Sequence, residues 1–250
     1  MSPDSRARVL ALFAPILVLL VAGARSDREA PPRQVADRDT LRRQDPAAPP
    51  PAGRLPEGAT YDFGPMRGGE ADIGGAYFVG QPDAQVTVAV FGDFQCDFCA
   101  RSEAATARAR GELLESGTVR IVYLDFPLPI HARGRPAAEF ARCVGRNEGP
   151  RVFWRAYRTL HRTQDRWTSG GPVEEGLRSV ARDIGVDWPA VPSCMEADTE
   201  LPAIDRLQRV GRRVGIRGTP ISFFNGVPRV GAITGPVFRK MVEGTKPDKG

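Results

Sequence analysis

From Val86 onward, apolar and polar positions fall into blocks whose period changes along the chain. Val86-Thr87-Val88-Ala89-Val90-Phe91 is an apolar run of strand length, entered through the turn residues Gln81-Pro82-Asp83-Ala84. The segment from Ala100 to Leu114 is rich in helix formers. It predicts a helix from about Asp97 to Ser116, weakly interrupted by Gly111. Val119-Arg120-Ile121-Val122-Tyr123 partly alternates and predicts a second strand. Strand, helix and strand in that order predict a parallel pair with a right-handed crossover.

A helical block follows. Ala138, Phe140, Ala141 and Val144 mark one helix between Arg135 and Arg146, and Val152, Phe153, Ala156, Tyr157 and Leu160 mark a second between Arg151 and His161. Val173, Leu177, Val180, Ala181 and Ile184 mark a third. Leu201, Ile204, Leu207, Val210, Gly211 and Val214 mark a fourth. These stripes recur every three to four residues, so their aromatic members are expected in a core. His161 lies beside its stripe and is expected on the solvated face. Strand character returns at Ile221-Ser222-Phe223-Phe224, passes the hairpin signal Asn225-Gly226 and continues through Pro228 to Ile233. Phe238 to Val242 predicts a closing helix.

The first seventy residues are different. Arg6 and Arg8 precede an apolar stretch from Val9 to Ala24, which as a helix would span about 24 Å, against roughly 30 Å for a bilayer core. Ala22-Gly23-Ala24 fits a small-x-small cleavage site, so residues 1–24 read as a signal peptide or a short membrane anchor. Either reading keeps the arginines cytoplasmic and exports the rest. No cysteine follows the apolar stretch, which excludes a lipid-anchored lipoprotein. Residues 25–70, with Pro31-Pro32, Pro46 and Pro49-Pro50-Pro51 among arginines and little apolar content, are expected to be a disordered, semi-rigid linker. The folded domain is expected over 71–250, its first strand residues near Ile73 to Phe78.

A net charge of +5 is spread over 35 basic and 30 acidic residues without a like-charge run or an aromatic-basic motif, which argues against a nucleic-acid partner. There are four cysteines. Cys96-Asp97-Phe98-Cys99 stands where the first strand ends and the first helix begins, so two thiols share the first turn of a helix. The helix N-terminus favours the thiolate of Cys96, the form that attacks and leaves in thiol–disulfide exchange. Half of a zinc site is the bland alternative. Cys143 and Cys194 stand alone and His131 and His161 lie far apart, so spacing argues against zinc. In an exported chain disulfides persist, and four cysteines can pair in three ways; if Cys96 pairs with Cys99, Cys143 is left with Cys194. That second pair is then expected to be a structural disulfide.

Gly218-Thr219-Pro220 stands just before the hairpin strand. Together with Tyr77 to Ala84, Phe91 to Cys99, Asp125-Phe126-Pro127-Leu128, His131, the helix from Ala137 to Cys143, and Asn225-Gly226, it resembles the DsbA-like thiol–disulfide oxidoreductases of the thioredoxin superfamily. The resemblance covers residue 75 to the C-terminus. It implies an α/β thioredoxin-like fold with an inserted helical subdomain at about 131–214. It implies Cys96 as exposed nucleophile and Cys99 as buried partner. Thr219 and Pro220, joined by a cis peptide, would form the substrate-binding edge, where the backbone at Thr219 pairs with an extended peptide. No cofactor and no metal are expected. The implied partners are exported proteins with free thiols and a membrane quinone-linked reoxidant of the DsbB or vitamin-K-epoxide-reductase type. The residues 25–70 do not suit a dimerisation domain, so a periplasmic or extracytoplasmic monomeric oxidase is expected over an isomerase or reductase.

Three neighbours are expected to tune the pair. Asp97, where relatives often carry proline, should oppose ionisation of Cys96. Phe98 stands where relatives often carry histidine or an aromatic residue. Asp93 reads either as a proton relay to Cys99 or as a turn carboxylate at the surface. His131 reads either as structural or as catalytic, and no mechanism assigns it. A different class of function is copper(I) handling by Cys96, Cys99 and His131.

Overall fold

The structure is a computed structural model and describes residues 50–247. The apolar segment 9–24 and residues 25–49 of the expected linker lie outside the described residues. The strands are Ala52–Arg54 (β1), Thr60–Asp62 (β2), Glu70–Asp72 (β3), Tyr77–Gly80 (β4), Val86–Gly92 (β5), Val119–Asp125 (β6), Ile221–Phe224 (β7) and Val227–Val230 (β8). Six of them form one sheet in the order β1-β4-β6-β5-β7-β8, while β2 and β3 pair with each other. β5 and β6 pair in parallel, Val86 opposite Val119 through Gly92 opposite Asp125. The other pairings of the large sheet are antiparallel. The crossover between β5 and β6 is helix α1, Asp97–Glu115.

Between β6 and β7 the chain leaves the sheet to build the inserted helices. These are α2 (Gly134–Glu148), α3 (Pro150–Arg162), α4 (Gln164–Thr168), α5 (Val173–Asp183), α6 (Pro192–Glu196) and α7 (Leu201–Arg213). Helix α8, Gly235–Gly244, follows the β7–β8 hairpin. This is a thioredoxin-like fold carrying a helical insertion.

The period-two alternation of the central strands divides two cores. Val86, Val88, Val119, Ile121 and Tyr123 face a cluster with Phe140, Phe153, Tyr157 and Trp167 from the insertion. Ala89, Phe91, Val122 and Leu124 face a second cluster with Leu207 and Val210 of α7. Truncating a fully buried ring such as Phe91 in such a sheet costs about 3–5 kcal/mol.

Residues 52–72, expected mostly within the disordered linker, are instead folded. β1 adds to the edge of β4, and β2 and β3 make a small antiparallel hairpin. A few apolar side chains anchor the segment. Tyr61, Phe63, Ala71 and Ile73 are buried in the second core, and Phe63 stands edge-on to Phe223 at 5.0 Å. Three-residue strands display no period of their own, and partners far along the chain supply what the local composition lacks.

A buried ion-pair network ties this segment to the insertion. Arg142 on α2 is fully buried and donates to Asp125 at 2.9 Å, to Glu200 at 2.9 Å and to the Gly75 carbonyl at 2.9 Å. Arg54 on β1 reaches the same Glu200 at 3.1 Å. These contacts offset most of what burying the charges would cost, although one oxygen of Asp125 has no protein partner.

Candidate active site

Strand β5 ends at Gly92, and the turn Asp93–Gln95 aims the chain into α1, whose N-cap residue is Cys96. The turn is stitched from both sides. The Asp93 carbonyl accepts the Cys96 N–H at 3.1 Å. The Asp93 carboxylate accepts the Gln95 and Leu128 N–H groups, each at 2.8 Å, and lies 2.6 Å from His131 Nδ1. Gln95 Oε1 accepts the Arg133 N–H at 2.6 Å, and Gln164 Nε2 donates to the Phe94 carbonyl at 2.7 Å. Gly134 begins α2 where no side chain fits, since a Cβ there would meet Asp93 Oδ1 at 2.5 Å.

Asp93 is 1 % exposed. It is therefore not a surface carboxylate. Its oxygens are taken by the 128–131 loop and the turn itself, and it holds that loop against the cysteine turn. His131 is its partner there.

Cys96 and Cys99 are free thiols in this structure. Cys96 is 4 % exposed, less open than an exposed nucleophile would be, because the 218–220 loop closes over it. The Thr219–Pro220 peptide is cis, and the Thr219 carbonyl lies 3.3 Å from Cys96 Sγ, where the protonated thiol donates to it. That contact favours the thiol, and groups that favour the thiolate outweigh it. The Cys99 thiol, the Thr219 side chain and the N–H groups of Cys99 and Phe98 hold Cys96 down at about 6, against the opposing effect of burial. Cys99 moves the other way: burial, and its role as donor to Cys96, push it well above the ordinary thiol value. The two thiols are thus split into a nucleophile ionised at neutral pH and a buried, protonated partner.

Asp97 does not prevent this. It is exposed to solvent, where its carboxylate is screened, and the hydrogen-bond donors prevail. Phe98 is 56 % exposed beside the pair, with the Arg101 guanidinium 4.3 Å over its ring. Cys143 on α2 and Cys194 on α6 form a disulfide with Cα atoms 5.8 Å apart.

Residues not singled out by spacing surround the back of Cys99. Tyr123 of β6 and Tyr157 and His161 of α3 line a small cavity there, together with Glu103 and Arg110 of α1. His161 is 5 % exposed, not on a solvated face. It packs 5.1 Å from the Phe94 ring and 4.8 Å from Tyr157, and burial together with Arg110 pushes its imidazole down to about 3. Its spacing of four from Tyr157 on one helix is the only sequence signal for its position.

Among the described residues no group of three or more His, Cys, Asp or Glu side chains could hold a metal ion. The third ligand of the copper reading, His131, has its Nδ1 on Asp93. Among the described residues no helix is long and apolar enough to cross a membrane.

A family model described as thioredoxin matches residues 73–243. The chain is 21 % identical over 162 residues to disulfide bond formation protein D of Bacillus subtilis, covering 63 % of this chain and 71 % of that one. Among solved structures it resembles oxidised BdbD of Bacillus subtilis, with a TM-score of 0.60, 18 % identity, and 67 % and 91 % of the two chains covered. It also resembles the thiol–disulfide exchange protein alpha-DsbA2 of Wolbachia pipientis, with a TM-score of 0.57, 19 % identity, and 67 % and 85 % covered.

Proposed function

The chain belongs to the thioredoxin family, and from that membership we propose that it is an extracytoplasmic thiol–disulfide oxidoreductase that oxidises the thiols of exported proteins through Cys96 and Cys99. The observation that carries the reading is the opposite displacement of the two thiols, Cys96 down to about 6 and Cys99 well up, at one helix N-terminus. A thiolate stabilised in the reduced pair makes the disulfide the stronger oxidant, and makes Cys96 the better leaving group. The named activities of the relatives, disulfide bond formation and thiol–disulfide exchange, are of the same chemical class.

In the cycle, a substrate thiolate attacks Cys96 Sγ of the oxidised pair. The Cys96–Cys99 bond breaks and Cys99 leaves, taking a proton. A second substrate thiolate then attacks the substrate sulfur of the mixed disulfide, and Cys96 leaves as a thiolate. One disulfide is lost by the enzyme and one gained by the substrate. The backbone at Thr219 and Pro220, beside Cys96, would receive the substrate as an added strand, with Phe98 on the rim. Restoring the pair requires a disulfide-donating or quinone-linked partner in the membrane. Export would follow from residues 1–24, and the Cys143–Cys194 disulfide suits an oxidising compartment. We read the working form as a monomer.

The reduction potential of the Cys96–Cys99 pair, measured against a glutathione series, tests the reading. The expected value lies between those of thioredoxin and DsbA, about −270 to −120 mV. The oxidised protein should also convert a reduced dithiol peptide to its disulfide stoichiometrically. A pair more reducing than thioredoxin, or no peptide oxidation, sinks the oxidase assignment.

A further inference from the structure

Thiol exchange of the kind proposed above leaves one requirement unmet. Cys99 must gain a proton when it departs from Cys96 and lose it again when the pair is closed, yet it is 6 % exposed and strongly disfavours its own ionised form. Asp93 does not serve, because its carboxylate is taken by Gln95, Leu128 and His131. The route for that proton lies on the other side of Cys99.

The cavity behind Cys99 has a volume of about 30 Å³. That is room for a water, which needs roughly 10–15 Å³ and two or more polar partners. Two of its lining residues carry buried polar atoms with no protein partner, Tyr123 Oη and His161 Nδ1. Buried polar atoms are almost always satisfied, so two orphans around one cavity mark it as a polar site. The backbone keeps the space open: Gly92 also lines the cavity, and a Cβ there would stand 2.6 Å from the Tyr123 ring.

A path leads outward. Tyr157 also lines the cavity and donates its hydroxyl to Glu103 at 2.9 Å. Glu103 is ion-paired with Arg110, and both side chains retain slight exposure, 13 % and 11 %.

We propose that Cys99 exchanges its proton through this cavity, with Tyr123 Oη and His161 Nδ1 holding the water that carries it, and Tyr157 and Glu103 passing it to solvent. When a substrate thiolate forms its bond to Cys96 and the Cys96–Cys99 bond breaks, the electron pair goes to Cys99 Sγ, and the proton it takes arrives by this route. On closing the pair, the proton returns the same way. The relay is built mainly from the inserted helix α3 and the strand preceding the insertion.

The ionisable groups around Cys99 fit this assignment. At the N-cap and along α1 they are Cys96, Glu103 and Arg110; on β6, Tyr123, whose hydroxyl is raised by burial and then by Asp125 at the strand end and Asp93 in the turn; on α3, Tyr157 and His161, with Arg158 acting on Tyr157. Strand β7 contributes only Ser222 to the cavity, and α8 only Phe238. The imidazole, held neutral by burial and Arg110, can both accept and donate across the working pH range.

The inference rests on the proposed role of the cysteine pair, and a single-turnover experiment separates the two. The full chain is loaded with glutathione on Cys96, and the release of glutathione as Cys99 attacks is followed by rapid quench from pH 5 to 10. Tyr123→Phe and His161→Phe should each slow release roughly tenfold or more at pH 7, in the range of general acid–base contributions. Their rates should then climb in proportion to hydroxide where the wild type is level. The alkylation profile of Cys96 should not move, because its donors are elsewhere. Tyr123→Phe removes a hydroxyl with no protein partner, so it remains a test if His161→Phe does not fold. Release at the wild-type rate with the wild-type profile in a folded Tyr123→Phe protein overturns the relay. Failure of the wild type to release glutathione at all overturns the redox role of the pair instead.

Discussion

Cys96–Cys99 and Cys143–Cys194 are both buried cysteine pairs next to helices, yet opposite kinds of polar surroundings face them. Around Cys96 there are donors: a second thiol, a threonine side chain, and the N–H groups of Cys99 and Phe98, which together hold the sulfur ionised. Around the second pair there is apolar packing, with Cys143 and Cys194 in the core cluster of Phe140, Val144 and Trp167. Glu139, one turn before Cys143, has one carboxylate oxygen without a partner. Burial and then Asp198 push this carboxyl up to about 7. The same degree of burial therefore favours charge in one region and neutrality in the other. What differs is the supply of hydrogen-bond donors, not solvent access.

The comparison breaks most sharply through activity. Cys96→Ser removes the attacking atom and should abolish dithiol-peptide oxidation to the level of buffer, whereas Cys143→Ser/Cys194→Ser should keep most of it. Equal loss in both variants, in protein that remains folded by circular dichroism, would contradict the division into a reactive and a structural pair.

Stability should divide the other way. The Cys143–Cys194 bond closes a loop with a sequence separation of 51. On the chain-entropy account its loss costs about 4 kcal/mol. Urea unfolding of the double serine variant should show a correspondingly lower midpoint, with the Cys96→Ser variant close to the reduced wild type.

Glu139 gives a pH test of the second region. Its folded value of about 7 lies above the ordinary 4.5. Its contribution to stability is complete below pH 4.5 and is lost as the pH rises through 7. Glu139→Gln should therefore leave stability unchanged at about pH 4 and raise it at about pH 8, by about 1–3 kcal/mol. Urea midpoints at the two pH values check this; a destabilised Gln variant at the higher pH would mean that the carboxylate is paired in solution.

The smallest effects concern the neighbours of Cys96. Cys99→Ala removes the leading donor and should raise the Cys96 value measurably in an iodoacetamide rate–pH profile. Asp97→Asn should lower it by about half a unit or less, since an exposed carboxylate is screened at ordinary salt. A larger change from Asp97 than from Cys99 would reverse that order of causes.

Local spacing carried much of this protein. The run Val86 to Phe91, the helix from Asp97, the stripes of the inserted helices and the Asn225-Gly226 turn each hold their pattern over short stretches of chain, and the observed elements match them closely. Cys96 and Cys99 meet because they share one helical turn, which no distant contact is needed to arrange. Residues 52–72 were illegible because three-residue strands have no period and depend on Tyr77–Gly80 and Phe223 for partners. Asp93 could be read as surface or relay because nothing in its neighbourhood announces Leu128 and His131, 35 and 38 residues away. His161 looks solvated beside its stripe until Phe94 covers it. The sequence by itself thus determined where the longer helices and strands begin and that two thiols share a helix terminus, because those depend on neighbours in the chain. Only the tertiary structure decided which donors hold Cys96 ionised, which carboxyl burial pushes up and where a polar cavity opens. Those depend on donors, charges and excluded water brought together from separate elements.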